Sequence, residues 1–156
     1  MTDAAEKEAE TLPYVERVNT RFLETLMGYN ARRAALTIIG HFLQEMEPMG
    51  LRPVEFSVLS LIYRNPGITS RQLCDVLDIL APNLVGMVNA LAQRGWIARH
   101  AHPHDRRAVG LTVTAVGAEI ARESEKKASQ LEHRVTSGLT PEERKALIQL
   151  LKKIYQ

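Results

Sequence analysis

The chain has 156 residues, which is enough for one compact domain and too few for a large multidomain enzyme. Hydrophobic residues make up 45% and charged residues 24%, so the chain can fold around a core, unlike disordered or collagen-like chains. Aromatic residues make up only 5%, which favours a helical core of aliphatic side chains. Cys74 is the only cysteine, which excludes an intrachain disulfide and a cysteine zinc site and makes a reducing cytoplasm the expected compartment.

Charge is distributed unevenly along the chain. Residues 1–16 form an acidic N-terminal tail with a net charge of −4, so the remainder carries +6 although the whole chain carries only +2. The tail lacks the basic start and apolar stretch of a signal peptide, and no apolar run approaches the ~20 residues that cross a bilayer, so we expect no membrane partner. The excess of basic residues after residue 16 favours binding to a polyanion. The alternative interpretation is a solvated surface with scattered charges.

The segment from residue 18 to residue 46 contains no proline, and its apolar residues recur mostly at steps of three, four or seven, which predicts one long helix. At 1.5 Å per residue that helix would be about 43 Å long, more than the width of a small domain, so we expect part of it to pack against a second subunit. Pro53 then stands in the first turn of a helix over residues 54–63, which ends at the Asn-Pro-Gly turn of residues 65–67.

Two short helices are predicted next. Thr69 and Gln72 have the spacing of a capping box, so a helix should run over residues 70–77. A second helix over residues 82–94 has a proline in its first turn and a glycine after its end. The apolar residues expected to be buried are Leu73, Val76 and Leu77 on the first helix and Leu84, Val88 and Leu91 on the second.

A small hairpin and two further helices complete the chain. Residues 96–101 and 109–114 have strand character and are joined by a charged loop over residues 102–108. Helices are predicted over residues 115–136 and 141–155. The last helix has an apolar stripe formed by Leu147, Leu150, Leu151 and Ile154. The predicted fold class is therefore mainly α with a small β-hairpin wing.

The order helix, turn, helix, hairpin is that of a winged helix-turn-helix, whose second short helix can enter a DNA major groove ~12 Å wide. Arg106 and Arg107 lie at the predicted hairpin tip beside His104 and Asp105. A narrow minor groove concentrates negative potential, and a guanidinium loses less on dehydration than an ammonium, so arginine suits this tip. Binding of double-stranded DNA is the leading hypothesis. A winged-helix module that binds proteins and no DNA is the alternative, because the predicted helix has few side chains that can hydrogen-bond to bases.

The chain resembles the multiple antibiotic resistance regulators of bacteria, the MarR family. Residues 105–114 fit the family's wing pattern D-x-R-x-x-x-L-x-L-T, with valine at one leucine position. Further matching residues are Leu51, Phe56, Leu91, Arg94, Gly95, Ile97 and Arg99. The resemblance implies that Arg107 is the wing arginine and that Asp105 helps to fix the tip.

The resemblance also implies an architecture and a mode of action. It implies a single domain over residues 17–155, with dimerisation helices at 17–48 and 115–155 around a winged helix-turn-helix at 53–114. It further implies a homodimer on a palindromic operator, which acts as a repressor and is regulated by a small molecule.

The predicted recognition helix departs from the family pattern. Where the family commonly has a hydroxyl residue followed by arginine, this chain has Val85 and Gly86, so base recognition should be modest. Asn83 can pair with adenine or bond locally, and Val85 can touch thymine methyl groups. Leu80 or Ala81 is a weak N-cap, so this helix end should be loose or become ordered on phosphate. The residues expected at DNA are Ser70, Arg71, Pro82, Asn83, Val85, Gly86, Asn89, His104, Asp105, Arg106 and Arg107.

A candidate effector site lies in the predicted first helix. Tyr29, Arg33 and His41 follow at i, i+4 and i+12, and apolar Phe56 is expected nearby. A phenol, a cation and an imidazole together suit an aromatic carboxylate, so a small aromatic or phenolic acid is the expected effector. Arg32 is an equal competitor to Arg33, and a surface arginine with a buried histidine is the structural alternative.

Other reactive residues have a weaker pattern. His100, His102 and His104 alternate, but Pro103 interrupts the strand and only Asp105 offers a fourth ligand, so we expect no metal site. Cys74 is expected to be an inert core residue, with a redox-sensing regulator as the alternative. The chain has no glycine-rich phosphate loop and no Ser, His and acid grouping, so we expect no enzymatic activity and no cofactor.

Overall fold

The computed structural model describes residues 14–101 and 108–156, and its contacts divide the chain into two compact units, Met1–Ala34 and Ala35–Gln156. The helices and strands in chain order are α1 (Arg21–Glu24), α2 (Met27–Met46), α3 (Pro53–Arg64), β1 (Ile68–Thr69), α4 (Ser70–Leu77), α5 (Ala81–Gln93), β2 (Ile97–Ala101), β3 (Val109–Val113), α6 (Ala115–Val135) and α7 (Pro141–Tyr155). A short 3-10 helix, Glu47–Met49, follows α2. The predicted fold class, mainly α with a small β wing, is confirmed.

The first unit contains α1 and the beginning of α2, where the sequence predicted an uninterrupted helix. That prediction is wrong, because α1 ends at Glu24 and α2 begins at Met27, and side chains bond to backbone carbonyls at the break. The hydroxyl of Thr25 donates to the carbonyl of Phe22 at 2.7 Å. The side-chain amide of Asn30 donates to the carbonyls of Glu24 and Leu26, both at 2.8 Å. Such local bonds offer the backbone an alternative to the helical pattern.

The second unit is organised around a three-stranded antiparallel sheet in the order β1-β3-β2. Ile97 on β2 pairs with Val113 on β3, which confirms the predicted hairpin, and Ile68 on β1 pairs with Leu111. The strand β1 was not predicted, because two residues are too few to show an alternating pattern. The buried hydrophobic core consists of Phe42, Met46, Leu51, Val58, Leu59, Ile62, Leu73, Leu84, Val88, Leu91, Trp96, Ile97, Leu111, Ala121 and Leu131.

The start of α6 packs directly against the base of the hairpin. A Cβ atom at Gly117 would lie 1.8 Å from the carbonyl oxygen of Trp96, so only glycine fits there. Thr114 caps the helix: its hydroxyl accepts from the Gly117 N–H at 3.0 Å and donates to the carbonyl of Gly95 at 2.7 Å. This contact fixes the position of the wing relative to α6.

A charged contact joins α3 to α6. The carboxylate of Glu125 accepts hydrogen bonds from the hydroxyl of Ser60 at 2.7 Å and from Nε of Arg64 at 3.0 Å, and it also pairs with Nη2 of Arg64. The hydrogen bond from Arg64 is the main reason why the pKa of Glu125 lies below its ordinary value, and the same bond raises the pKa of Arg64. The winged module is thereby tied to the long C-terminal part of the chain.

The last helix, α7, begins with the predicted capping box of Thr140 and Glu143 and buries none of its residues within the chain. Its apolar side chains remain between 39% and 71% exposed, namely Leu147, Ile148, Leu150, Leu151, Ile154 and Tyr155. In the described ranges no single helix is long and apolar enough to cross a membrane, and one bent pair, α4 with α5, meets that test by length and composition.

Candidate nucleic-acid interface

The two helices α4 and α5 are bent by 118° relative to each other. The predicted capping box at the start of α4 is present: the Gln72 side chain accepts from the Thr69 N–H at 2.9 Å, and the Thr69 hydroxyl accepts from the Gln72 N–H at 3.3 Å. Asp78 ends α4 in the left-handed conformation with φ 50°, which a short polar side chain tolerates better than most. The chain therefore turns directly from α4 into α5, as in a helix-turn-helix.

One face of α5 is buried and the opposite face is open. Its buried residues are the three that the sequence predicted, Leu84, Val88 and Leu91. Pro82, Gly86 and Asn89 follow at helical spacing on the opposite face, and all three are exposed. A Cβ atom at Gly86 would meet no atom of residues 14–101 and 108–156 within 4 Å, so none of these residues covers the helix at this point. We call these three residues the outward face of α5.

The other predicted DNA contacts in the helix-turn-helix are also accessible. Asn83 and Val85 flank the outward face and are exposed, and Ser70 and Arg71 are exposed at the start of α4. Leu80, the N-cap of α5, makes no capping bond with its side chain, which confirms the weak cap expected from the sequence. Pro82 has no N–H, and the N–H groups of Asn83 and Leu84 donate to the carbonyl of Leu80 at 3.0 and 3.2 Å, so this helix start offers few backbone donors to a phosphate.

The predicted burial of Val76 on α4 is wrong, because 64% of this residue is exposed. Leu73 is buried and Leu77 is half-buried, as expected for the face that packs inward. Val76 lies instead at a groove beside β1, lined also by Leu61, Asn65, Pro66, Gly67, Ile68, Gln72 and Asp75. An eight-residue helix covered on one side leaves its flank in solvent. Cys74 on the same helix is half-buried with a free thiol.

The tip of the wing falls outside the described residues. Its predicted DNA contacts are His104, Asp105, Arg106 and Arg107, and for these four the sequence prediction stands untested. His102 lies in the same stretch, whereas Nε2 of His100 lies 2.7 Å from the hydroxyl of Thr112 on the neighbouring strand. Within residues 14–101 and 108–156 no group of three His, Cys, Asp or Glu side chains is placed to hold a metal ion.

Two arginines of the predicted basic segment have specific partners that sequence reasoning missed. Arg94 donates to the carbonyl of Gly50 at 3.0 Å, and its guanidinium carbon lies 3.6 Å from the ring centre of Trp96. Arg99 on β2 donates through Nη2 to Oδ1 of Asn89 at 2.6 Å. Arg94 therefore ties the end of α5 to the turn before α3, and Arg99 connects the wing to the outward face of α5.

The predicted effector residues are distributed over both units. Tyr29 and Arg33 belong to the first unit, and His41 and Phe56 belong to the second. His41 lines a cavity of about 480 Å³ together with Thr37, Gln44, Glu45, Leu131, Arg134 and Val135. Phe56 lines a different cavity of about 310 Å³. Within the second unit, His41 and Phe56 are therefore not brought to one cavity.

The cavity at Phe56 lies between α2, α3 and α6 and is mainly apolar. The rings of Phe42 and Phe56 pack with their centres 5.4 Å apart at one wall. Its polar lining residues are Ser57, Ser129 and Glu132. The remaining lining residues are Ile38, Ile39, Pro53, Ala128 and Leu131. We call this space the α2–α3–α6 cavity.

A helix-turn-helix followed by an antiparallel wing defines the class of winged-helix DNA-binding proteins. The MarR family model matches residues 49–108. The multiple antibiotic resistance protein MarR of Salmonella typhimurium is 34% identical over 110 residues, which cover 70% of this chain and 76% of that protein.

Solved structures agree with these sequence matches. The transcriptional repressor CouR bound to a 23-mer DNA duplex is 35% identical, with a TM-score of 0.84, and the match covers 90% of this chain and 99% of that one. CouR bound to p-coumaroyl-CoA is 34% identical, with a TM-score of 0.79 over 90% and 99% of the two chains.

The chain therefore belongs to the MarR family. It is a DNA-binding transcriptional regulator of the winged-helix class. The members of this family are transcriptional regulators, which are not enzymes.

Proposed function

We propose that a homodimer of this chain binds a palindromic operator, represses transcription, and is released by a small aromatic or phenolic effector. The observation that carries the proposal is the outward face of α5, which is exposed and unobstructed in front of Gly86. Each subunit places this face in a major groove. The wing arginines Arg106 and Arg107 then contact the adjacent DNA backbone or minor groove.

The apolar surface of α7 supports the homodimer. None of its residues is buried within the chain, and its apolar side chains follow one another at helical spacing. A monomer that left such a stripe in water would forgo the stabilisation of burying it, at roughly 25 cal/mol per Å² of apolar area. A second copy that presents the same stripe buries both, and a two-fold axis then matches a palindromic operator.

The α2–α3–α6 cavity supports an aromatic effector. Phe42 and Phe56 offer ring contacts, and α3 is the first helix of the winged module, so a ligand here touches both the module and the helices that flank it. The polar groups in the lining are two hydroxyls and the carboxylate of Glu132. They favour a phenol or another neutral aromatic group over a free aromatic acid, whose carboxylate Glu132 repels. The solved complex of CouR with p-coumaroyl-CoA supports the same class of ligand.

We also propose that the chain has no enzymatic activity and that it acts in the cytoplasm, where its DNA target lies. The family match supports both statements, since its members are transcriptional regulators.

Salt dependence tests the DNA-binding proposal. A duplex selected from a random library with the full-length protein should lose affinity by about 10³–10⁵ between 50 and 200 mM salt if six to ten phosphates are contacted. Fluorescence anisotropy at several salt concentrations measures this slope. An affinity independent of salt, or no duplex binding at all, would contradict the proposal.

The variant Arg107→Ala tests the role of the wing. Because a guanidinium at the tip contacts the duplex, its loss should weaken binding by about 1–3 kcal/mol while the melting temperature stays unchanged. The control is Arg122→Ala, which removes an exposed arginine on α6 that pairs with Glu119. Equal affinities of the two folded variants would refute the wing assignment.

A thermal-shift comparison tests the effector cavity. A phenol at 100 times its dissociation constant should add about 2.7 kcal/mol to the free energy of unfolding. Benzoate and its methyl ester form a matched pair, and the ester should stabilise the protein more than the acid because Glu132 repels the carboxylate. The variant Glu132→Gln should narrow this difference. A larger shift for the acid in the unmodified protein would show that a cation, and not Glu132, controls the cavity.

A further inference from the structure

The contact between Arg99 and Asn89 joins the wing to the outward face of α5. Arg99 is two residues after Ile97 on β2 and opposite Leu111 on β3, and both of these neighbours are buried. Because alternate residues of a strand share a face, Arg99 lies on the side of the sheet that packs against the core. Its guanidinium extends along that side and donates from Nη2 to Oδ1 of Asn89 at 2.6 Å.

The chemistry of the two groups determines the orientation of the amide. A guanidinium has only donors, so the amide atom that it contacts is the oxygen and not the nitrogen. The nitrogen of Asn89, with its two N–H donors, therefore points away from Arg99. An asparagine that pairs bidentately with adenine needs its oxygen to accept from N6 while its nitrogen donates to N7. Arg99 occupies one of the two lone pairs of Oδ1 and holds the oxygen toward β2, so the N–H donors of Asn89 are directed away from the wing, an arrangement that suits adenine poorly.

We propose that Arg99 is a positioning residue that orients Asn89 so that α5 offers only hydrogen-bond donors at this point, which selects guanine in the operator. In the major groove guanine presents two acceptors, N7 and O6, whereas adenine and cytosine each present a donor there and thymine presents one acceptor beside a methyl group. A donor-only amide is therefore satisfied best by guanine. The inference rests on the proposed DNA-binding function.

The position of Asn89 on α5 makes this contact accessible to a base. Asn89 is exposed and follows Gly86 by three residues on the outward face. A Cβ atom at Gly86 would meet no atom of the described residues within 4 Å, so there is open space beside Asn89 on this face. Arg99 has further N–H donors on its guanidinium, which add to the donor character of the pair.

Selection from a random duplex library tests the inference with the full-length protein. The unmodified protein should prefer guanine about tenfold over adenine at one position of each half-site. Asn89→Ala should remove the preference at that position and leave the other positions unchanged, which identifies the base that Asn89 contacts. Arg99→Met keeps the aliphatic length but has no donor, so it frees Oδ1 and should shift the same position toward adenine.

Arg99→Lys and Arg122→Met provide the controls. Arg99→Lys keeps a donor for Oδ1, so this variant should still prefer guanine at that position. Arg122→Met removes an exposed arginine of α6 and should leave the base preference unchanged at every position. A purely structural role for Arg99 would lower affinity equally at all bases. Three results would overturn the inference. The unmodified protein could prefer adenine at the base that Asn89 contacts, or a folded Arg99→Met variant could keep the preference for guanine. The third is an Asn89→Ala variant whose base preference is unchanged at every position of the operator. Failure of the unmodified protein to bind any duplex would overturn the proposed function itself.

Discussion

Gly86 occupies the middle of α5, where glycine is an unfavourable residue. Glycine in a helix interior costs about 1 kcal/mol relative to alanine. Its backbone shows none of the positive φ angles found at Gly50, Gly67 and Gly95, and a Cβ atom there would meet nothing within 4 Å. Nothing in the described chain requires glycine at this position. The most direct reason for a glycine here is a molecule that approaches α5 closely from outside. The proposed DNA duplex is such a molecule.

The variant Gly86→Ala should therefore have opposite effects on stability and on DNA binding. The free energy of unfolding should rise by about 1 kcal/mol because alanine is the better helix former. Affinity for a selected duplex should fall about tenfold, because the added methyl group displaces the helix from the base edges. Thermal unfolding and fluorescence anisotropy on the same preparation measure both quantities. An unchanged affinity in the stabilised variant would show that the backbone does not approach DNA closely here.

At the scale of elements, the contact between α3 and α6 determines how the winged module is attached. Its centre is Glu125, whose side chain is only 18% exposed and accepts bonds from Ser60 and Arg64. In the turn before it α6 buries the small residues Ala121 and Ser124. Small side chains allow the two helices to approach closely, so the charged contact lies near a tightly packed surface.

The lowered pKa of Glu125 predicts a pH dependence of stability. Since the folded pKa is below the ordinary value of 4.5, the ionised carboxylate stabilises the protein fully above that value, and this contribution is lost as the pH falls through the folded pKa. Glu125→Gln should therefore lower the free energy of unfolding by about 1 kcal/mol at pH 7 and by less at pH 3. Chemical denaturation at the two pH values measures the difference.

The matched control for Glu125→Gln is Glu119→Gln. Glu119 pairs with Arg122 within α6, and both side chains are mostly exposed, so this contact should contribute little at either pH. Equal pH profiles of the two variants would show that the contact between α3 and α6 does not govern acid stability.

At the scale of the whole molecule, the proposed function depends on two copies of the chain, and substitutions on α7 test this. Leu150→Asp combined with Ile154→Asp places two carboxylates on the exposed apolar stripe, so the dimer should dissociate because burying unpaired charges is costly. Operator affinity should then fall by more than about tenfold, because a monomer can bind only one of the two half-sites. Sedimentation velocity and anisotropy measure the two effects.

Gln149→Asp is the control for this double variant, because Gln149 lies on the polar side of the same helix. It should remain dimeric and retain its affinity. A double variant that stays dimeric would place the subunit contact elsewhere on the molecule.

Sequence patterns predicted the elements whose cause is local. Thr69 and Gln72 set the start of α4, and the apolar spacing of α5 identified its buried face, because capping and helical periodicity depend on neighbours in the chain. The family resemblance rested equally on a contiguous pattern, and the comparisons confirm it. The break before α2 was missed, because the amide of Asn30 bonds to carbonyls four and six residues earlier and propensity does not reveal such a bond.

Contacts between distant residues were decided only by the tertiary structure. Arg94 and Arg99 lie only five residues apart, yet one stacks on Trp96 and the other donates to Asn89. The sequence shows only that both are basic, whereas the turn before α3 supplies the partner of Arg94 at Gly50 and the packing of β2 against α5 brings Arg99 to Asn89. The sequence by itself therefore determined most of the helices, the hairpin and the family. The hydrogen-bond partners of individual side chains and the cavities between helices depended on which faces of the helices and strands pack together. A side chain's partners are set by its position in space and not by its neighbours in sequence.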